Sequence, residues 1–226
     1  MNAVLFDFNG TLVFDSLLHE QAWIIFLEKT IGRTVYHIEL VDHMHGRTND
    51  KILEYFLQRE LTEYEADQMS EEKEAIYRQL CKKTAYNLVE GAAEFFEIMK
   101  KQHIPFAVAT SSTKSNVDFY FETLGLSRWF GASHFIYNDG TLPGKPKPDI
   151  YLRTAKQIGV DISRCVIFED STAGILSAKN AHPLKVVGIA PTKGESEQLR
   201  VRWGITAVTD YTSVNLSTLF EPEIAY

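Results

Sequence analysis

Cysteine is nearly absent from this chain. Its two examples, Cys81 and Cys165, stand far apart with no CxxC or CxxxH spacing around either, a pattern of reduced thiols rather than of a disulfide framework or a zinc site. Cys165 opens an apolar run and is expected to be a small core residue. Positive charge is also short. With 23 Lys and Arg against 30 Asp and Glu, the formal net charge is -7, so no overall positive field exists to attract a phosphate backbone, and nucleic acid is not an expected partner. Long apolar runs are missing too. None approaches the roughly 20 residues needed to span a bilayer, so no membrane partner is expected. The first apolar stretch, Ala3 to Phe6, follows no basic segment and meets Asp7 at once, too early for a signal peptide, and a cytoplasmic location is expected. What remains is a chain of 226 residues, 45% hydrophobic, enough for one large domain or a core domain with a smaller insertion.

Four short apolar runs of β type stand out: Val4-Leu5-Phe6, Phe106 to Ala109, Cys165 to Phe168 and Val186 to Ile189. Apolar runs without alternation predict strands buried on both faces, as in a parallel sheet covered by helices. Helical patterns lie between them. Ser115 to Leu124 closes at Gly125, Asp149 to Ile158 closes at Gly159, and Ser171 to Ala181 stops before Pro183; each has the length of a crossover helix. The alternation predicts an α/β fold, a Rossmann-like doubly wound parallel sheet. From about Asp15 to Thr84 it breaks down, because β-type runs give way to helix formers and charge. Leu17 to Thr30 repeats apolar residues at helical spacing before Gly32. Thr62-Glu63-Tyr64-Glu65 is a capping-box pattern opening a helix towards Lys82. The expected organisation is therefore a core domain of residues 1–14 and 85–226, with an all-helical domain of residues 15–84 inserted after the first strand.

The chemistry gathers where the apolar runs end. The first ends in Asp7-Phe8-Asn9-Gly10-Thr11, the second in Thr110-Ser111-Ser112, the third in Glu169-Asp170-Ser171. In an open parallel sheet the ligand crevice lies at the carboxyl ends of the strands, so three polar clusters there can converge on one site. Asp7 and Asp170, with Glu169 beside it, offer the hard anionic oxygens that Mg2+ takes. Asp7 can also attack phosphorus, since carboxylates form acyl-phosphate intermediates. Phosphoryl transfer then asks mainly for charge neutralisation, for which Lys145 is the candidate, while Thr110, with Ser111 beside it, and backbone amides can donate to phosphoryl oxygens. Taken singly, each of these residues could equally cap a helix or sit in a turn; their joint placement carries the reading.

Asp7-Phe8-Asn9-Gly10-Thr11-Leu12, Thr110, Lys145-Pro146-Lys147-Pro148-Asp149-Ile150-Tyr151 and Phe168-Glu169-Asp170-Ser171-Thr172-Ala173-Gly174-Ile175 resemble, in order, the four signature motifs of haloacid dehalogenase-like hydrolases. Over nearly the whole chain the pattern is most similar to the β-phosphoglucomutase-like branch, whose members have a Rossmann-like core and a helical cap. The resemblance implies that Asp7 is the nucleophile, that Thr110 binds the phosphoryl group and that Lys145 offsets its charge. It also implies Mg2+ held by Asp7, the backbone carbonyl of Asn9 and Asp170, with Glu169 in direct or indirect contact. In the helical insertion it brings His45-Gly46-Arg47 to a substrate-facing position, with Arg47 as a grip for a second phosphate or a sugar hydroxyl, and His19 and Trp23 near the cap hinge. The expected partner is a small phosphorylated metabolite such as a sugar phosphate, and the expected state a monomer or weak dimer.

Asn9 departs from this pattern. Phosphatases and mutases of the branch usually have a second aspartate two residues after the nucleophile, as general acid and then general base. An amide exchanges no proton near neutral pH, and positioned proton transfer is worth about 10² to 10⁴ in rate. A natural member with weak or altered activity, a variant made to trap a complex, and a member whose chemistry needs no proton there are three open readings; His19 or Glu20 is a candidate to take over. Dehalogenases of the superfamily lack a fourth motif like Glu169-Asp170-Ser171, and Lys51 has no surrounding support as a phosphonatase Schiff-base lysine. The expected activity is a Mg2+-dependent phosphatase or phosphomutase acting through an aspartyl-phosphate at Asp7. The alternative is an impaired protein that binds phosphometabolites without turning them over.

Overall fold

The structure, a computed structural model, describes residues 1–44 and 49–221. The chain divides into two compact units, one of residues 1–14 and 87–226 and one of residues 15–86.

The first unit is a doubly wound α/β core. Its strands are β1 (Ala3–Phe6), β2 (Phe106–Ala109), β3 (Phe135–Ile136), β4 (Cys165–Glu169), β5 (Lys185–Ile189) and β6 (Thr206–Val208), in spatial order β3-β2-β1-β4-β5-β6. Every neighbouring pair is parallel. All residues of β1, β2 and β4 are buried, as their unalternated apolar sequences predict. Two strands go beyond the four predicted runs. β3 has two residues and β6 has three, too short for a periodic signal. Because β3 follows β2, the loop carrying Lys145 leads from β3 into the helix Asp149–Gln157 rather than following the second strand directly. The chain builds outwards from β1 on one side and then returns to pair β4 with the other side of β1. That reversal makes the carboxyl ends of β1 and β4 the switch point of the sheet, where such folds leave a crevice.

The second unit is all-helical: α1 (Ser16–Ile31), α2 (His37–Met44), α3 (Asn49–Leu57) and α4 (Glu63–Lys82). Helix α1 stops at Gly32, whose φ of 69° is the left-handed cap conformation and whose amide bonds the Glu28 carbonyl. Helix α4 starts at the Thr62/Glu65 capping box, with both reciprocal bonds formed. Trp23, Phe26, Leu27, Leu40, Leu53 and Phe56 form the apolar core of this unit.

Within the helical unit there is also a buried polar network that the sequence did not announce. The Tyr77 hydroxyl donates to Asp15 Oδ2 at 2.5 Å, the ring of His19 stacks on Tyr77 with centroids 3.8 Å apart, and Lys73 Nζ lies 2.9 Å from His19 Nδ1 and 2.8 Å from Glu74 Oε1. Burial, and then the neighbouring Lys73 ammonium, depress the His19 pKa to about 3, so its imidazole is neutral.

The connecting helices of the core are α5 (Ala92–Lys101), α6 (Lys114–Leu124), α7 (Asp149–Gln157), α8 (Thr172–Asn180), α9 (Lys193–Trp203) and the short α10 (Leu216–Leu219). Helix α5 buries Ala92, Phe95, Phe96 and Met99, an i, i+3, i+4, i+7 stripe turned to the sheet. Both cysteines are free and buried, and burial pushes each thiol up to about 12, which leaves them unreactive packing residues. Among the described residues no helix is long and apolar enough to cross a membrane.

Candidate active site

Asp7 is the residue after β1, and its amide bonds the Phe168 carbonyl of the adjacent β4. Register sets the rest. Phe6 lies beside Val108 of β2 on one side and beside Phe168 of β4 on the other, so Thr110, Glu169 and Asp170 follow at the same edge of the sheet. Oxygens of Asp7, Glu169 and Asp170 lie within 4.8 Å of one another. The three strand-end clusters therefore meet.

Lys145 joins them. Its ammonium donates to Asp7 Oδ1 at 2.6 Å, to Glu169 Oε1 at 2.6 Å and to the Tyr151 hydroxyl at 3.1 Å. Burial alone would lower the Lys145 pKa, but the Asp7 and Glu169 carboxylates outweigh it and hold the ammonium above the usual lysine range. Tyr151, from the first turn of α7, is fully buried and donates to Glu169 Oε1 at 2.6 Å. Burial, followed by the charges of Glu169 and Asp7, pushes its phenol well above the ordinary tyrosine value, so it keeps its proton. The other Glu169 oxygen accepts from the amides of Asp170 and Ser171 at 3.0 and 3.3 Å and from the Ser171 hydroxyl at 3.3 Å. Both oxygens of Glu169 are thus committed to protein donors, which makes it the anchor of Lys145.

Two glycines allow this approach. A Cβ on Gly174 would lie 1.9 to 2.0 Å from the Glu169 carboxylate, and one on Gly10 would lie 2.1 Å from Asp170 Oδ2. Gly10 also has a φ of 77°, a left-handed conformation that other residues adopt with difficulty. Ser171 caps α8 by accepting the Gly174 amide at 3.0 Å.

Asn9 is held by hydroxyl groups of the core unit. Its Oδ1 accepts from the Ser112 hydroxyl at 2.7 Å, and its Nδ2 donates to the Tyr120 hydroxyl at 3.0 Å. Ser112 and Tyr120 hydroxyls are themselves 3.1 Å apart. Thr110 is buried, and its hydroxyl accepts the Ser112 amide at 3.1 Å; Ser111 is exposed beside it. Arg47 and His45 lie outside the described residues. Lys51 is exposed and paired with Glu54 at 2.6 Å, and Trp23 packs in the core of the helical unit.

Sequence reasoning missed three site side chains. Tyr151 sits inside the third motif, but nothing local announces that its hydroxyl closes a triangle with Lys145 and Glu169. Ser112 carries a faint signal as one of a run of hydroxyl residues after β2. Tyr120 carries none, being one of two adjacent buried aromatic residues of α6.

A family model described as haloacid dehalogenase-like hydrolase matches residues 1–182. The chain is 26% identical to a phosphorylated carbohydrates phosphatase of Thermotoga maritima, over 88% of this chain and 90% of that protein. A crystal structure of a HAD hydrolase of family IA, variant 3, from Entamoeba histolytica superposes with a TM-score of 0.92 and 38% identity, covering 98% of each chain. The β-phosphoglucomutase of Clostridium difficile shares the fold at a TM-score of 0.75 and 23% identity, covering 98% of this chain and 96% of that one.

Proposed function

The chain belongs to the haloacid dehalogenase-like hydrolases, and from that premise we propose that it is a Mg2+-dependent phosphatase or phosphomutase of small phosphorylated metabolites, sugar phosphates foremost, working through an aspartyl-phosphate on Asp7. The observation that carries this is the single ammonium of Lys145 set among carboxylates: it lies 2.6 Å from Asp7 and 2.6 Å from Glu169, with Asp170 completing a cluster within 4.8 Å. Three carboxylates against one ammonium leave the site about two charges negative, which a divalent cation offsets, and hard oxygens are the donors that Mg2+ prefers.

The donor set fits Mg2+. Asp7, the backbone carbonyl of Asn9 and Asp170 would hold it, with Glu169 acting indirectly through Lys145. The bound ion supplies positive charge for the phosphoryl oxygens and the electrostatic stabilisation that phosphoryl transfer chiefly needs. Asp7 attacks phosphorus through a carboxylate oxygen, and the bond to the leaving oxygen breaks. Lys145 keeps Asp7 ionised and offsets charge on the transferring group, while the Thr110 hydroxyl, with Ser111 beside it, orients phosphoryl oxygens. Water then attacks the phosphorus of the aspartyl-phosphate and Asp7 is regenerated. The helical unit serves as a cap, with Arg47 as a grip on a distal phosphate or hydroxyl. We place the protein in the cytoplasm as a monomer or weak dimer; the net charge of -7 supports small ligands over nucleic acid.

The binding-only alternative is not the favoured reading, because the Thermotoga maritima relative is a phosphatase by name. The test is release of phosphate from p-nitrophenyl phosphate and a sugar-phosphate panel, with Mg2+ or with EDTA. Metal-dependent turnover that disappears in Asp7→Ala, with a one-phosphoryl mass increase after incubation with acetyl phosphate in wild type alone, is the expected result. Turnover undiminished in Asp7→Ala would overturn the proposal.

A further inference from the structure

Asn9 sits in a ring of hydroxyl groups. Its acceptor end takes the Ser112 proton at 2.7 Å and its donor end gives one to Tyr120 at 3.0 Å. The Tyr120 hydroxyl also lies 3.3 Å from Asn9 Oδ1, so two hydroxyl groups hold the amide from both ends. Tyr120 cannot readily turn away, because it is fully buried and stacks on Phe8 with centroids 4.2 Å apart and planes 19° from parallel. The side chain two residues from the nucleophile is therefore fixed in place and releases no proton.

Among the described residues of the core unit, the ammonium and the phenol gathered on Glu169 beside Asp7 are committed to neighbours. The protons of Lys145 go to Asp7, Glu169 and Tyr151, and that of Tyr151 goes to Glu169. The two acids that the sequence offers from the helical unit are engaged within that unit. His19 lies against Lys73 at 2.9 Å with its ring on Tyr77, and Glu20 pairs with His37 at 2.8 Å.

We propose that this site selects phosphoryl compounds whose leaving oxygen departs without a proton from the protein: acyl, enol and aryl phosphates, and among sugar phosphates the anomeric ones. This rests on the phosphatase reading and names its substrate class. In the first step a carboxylate oxygen of Asp7 bonds to phosphorus, and the bond from phosphorus to the leaving oxygen breaks with its electron pair on that oxygen. The more acidic the conjugate acid of the leaving group, the lower the barrier. In the second step water bonds to phosphorus and passes its proton to solvent, while the bond from phosphorus to Asp7 breaks with its electron pair returning to the carboxylate. That step is common to all substrates and has no leaving-group proton to supply.

The experiment is kcat/KM with Mg2+ for aryl phosphates running from p-nitrophenyl to phenyl phosphate, with acetyl phosphate and the glucose 1-phosphate and 6-phosphate pair. Wild type is expected to slow steeply as the leaving group becomes less acidic. In Asn9→Asp the poorest leaving groups gain on the order of 10² to 10⁴-fold relative to the best, the range that positioned proton transfer is worth, so the slope flattens. A shallow slope in wild type overturns the inference, and so does glucose 6-phosphate turned over as fast as acetyl phosphate. Both results are read on the wild-type protein and stand even if Asn9→Asp folds poorly. Rates in wild type equal to those of Asp7→Ala across the whole panel would instead defeat the phosphatase reading itself, a result distinct from any slope.

Discussion

The Lys145 ammonium lies 2.6 Å from Oε1 of Glu169, a side chain with no solvent exposure. The same ammonium bonds Asp7 at 2.6 Å, so one cation ties Asp7 to a carboxylate sealed inside the protein. Removing one partner of a buried ion pair leaves an uncompensated charge and typically costs about 3 to 5 kcal/mol. Lys145→Met, which leaves Asp7 and Glu169 without their shared cation, is expected to lose stability of that order in urea unfolding, along with turnover. A Lys145→Met protein as stable as wild type would show that the pair contributes nothing to folding.

The two glycines at the site give a steric prediction. Gly174→Ala drives a methyl to 1.9 to 2.0 Å from the Glu169 carboxylate, and Gly10→Ala drives one to 2.1 Å from Asp170 at a φ of 77°. Overpacking of this kind costs roughly 1 to 3 kcal/mol. Both variants should melt lower than wild type and lose activity, whereas Gly131→Ala, which meets nothing within 4 Å, should change neither.

Magnesium should stabilise the fold. A ligand that binds only the native state adds about 2.7 kcal/mol at a hundred times its Kd. Thermal melting in rising Mg2+ is expected to climb for wild type and to stay flat for Asp170→Ala. An equal climb in both would exclude Asp170 as a ligand.

His19 sets a pH dependence of stability. Its folded pKa of about 3 lies below the ordinary value near 6.5, so on acidification the unfolded chain takes up a proton that the folded one refuses. The stabilising contribution is complete above about pH 6.5 and declines as pH falls towards about 3, by up to about 1.4 kcal/mol per pH unit. His19→Gln should flatten this part of the stability curve, measured by chemical unfolding between pH 4 and 7. An unchanged curve would show that other groups set the dependence.

Much of the fold was legible because its determinants are local. The central strands announce themselves as unalternated apolar runs, α4 by its capping box and α1 by Gly32. The short strands β3 and β6 were not legible, since two or three residues carry no period. The candidate ligands were legible because Asp7, Thr110 and Glu169-Asp170 each end an apolar run, and a parallel sheet gathers strand ends at one edge.

By itself the sequence determined which groups can do chemistry: a carboxylate for attack, carboxylates for a hard cation, a lysine, and an amide at position 9. Only the tertiary structure decided what those groups touch. It bonded Glu169 to Lys145 within the carboxylate cluster, brought in Tyr151 through a hydroxyl 2.6 Å from Glu169, and enclosed Asn9 between Ser112 and Tyr120. Tyr120 is 111 residues from Asn9 along the chain. Residue type fixes the donors and acceptors a side chain carries, but the partner is chosen by sheet order and helix packing, which no local stretch of sequence encodes.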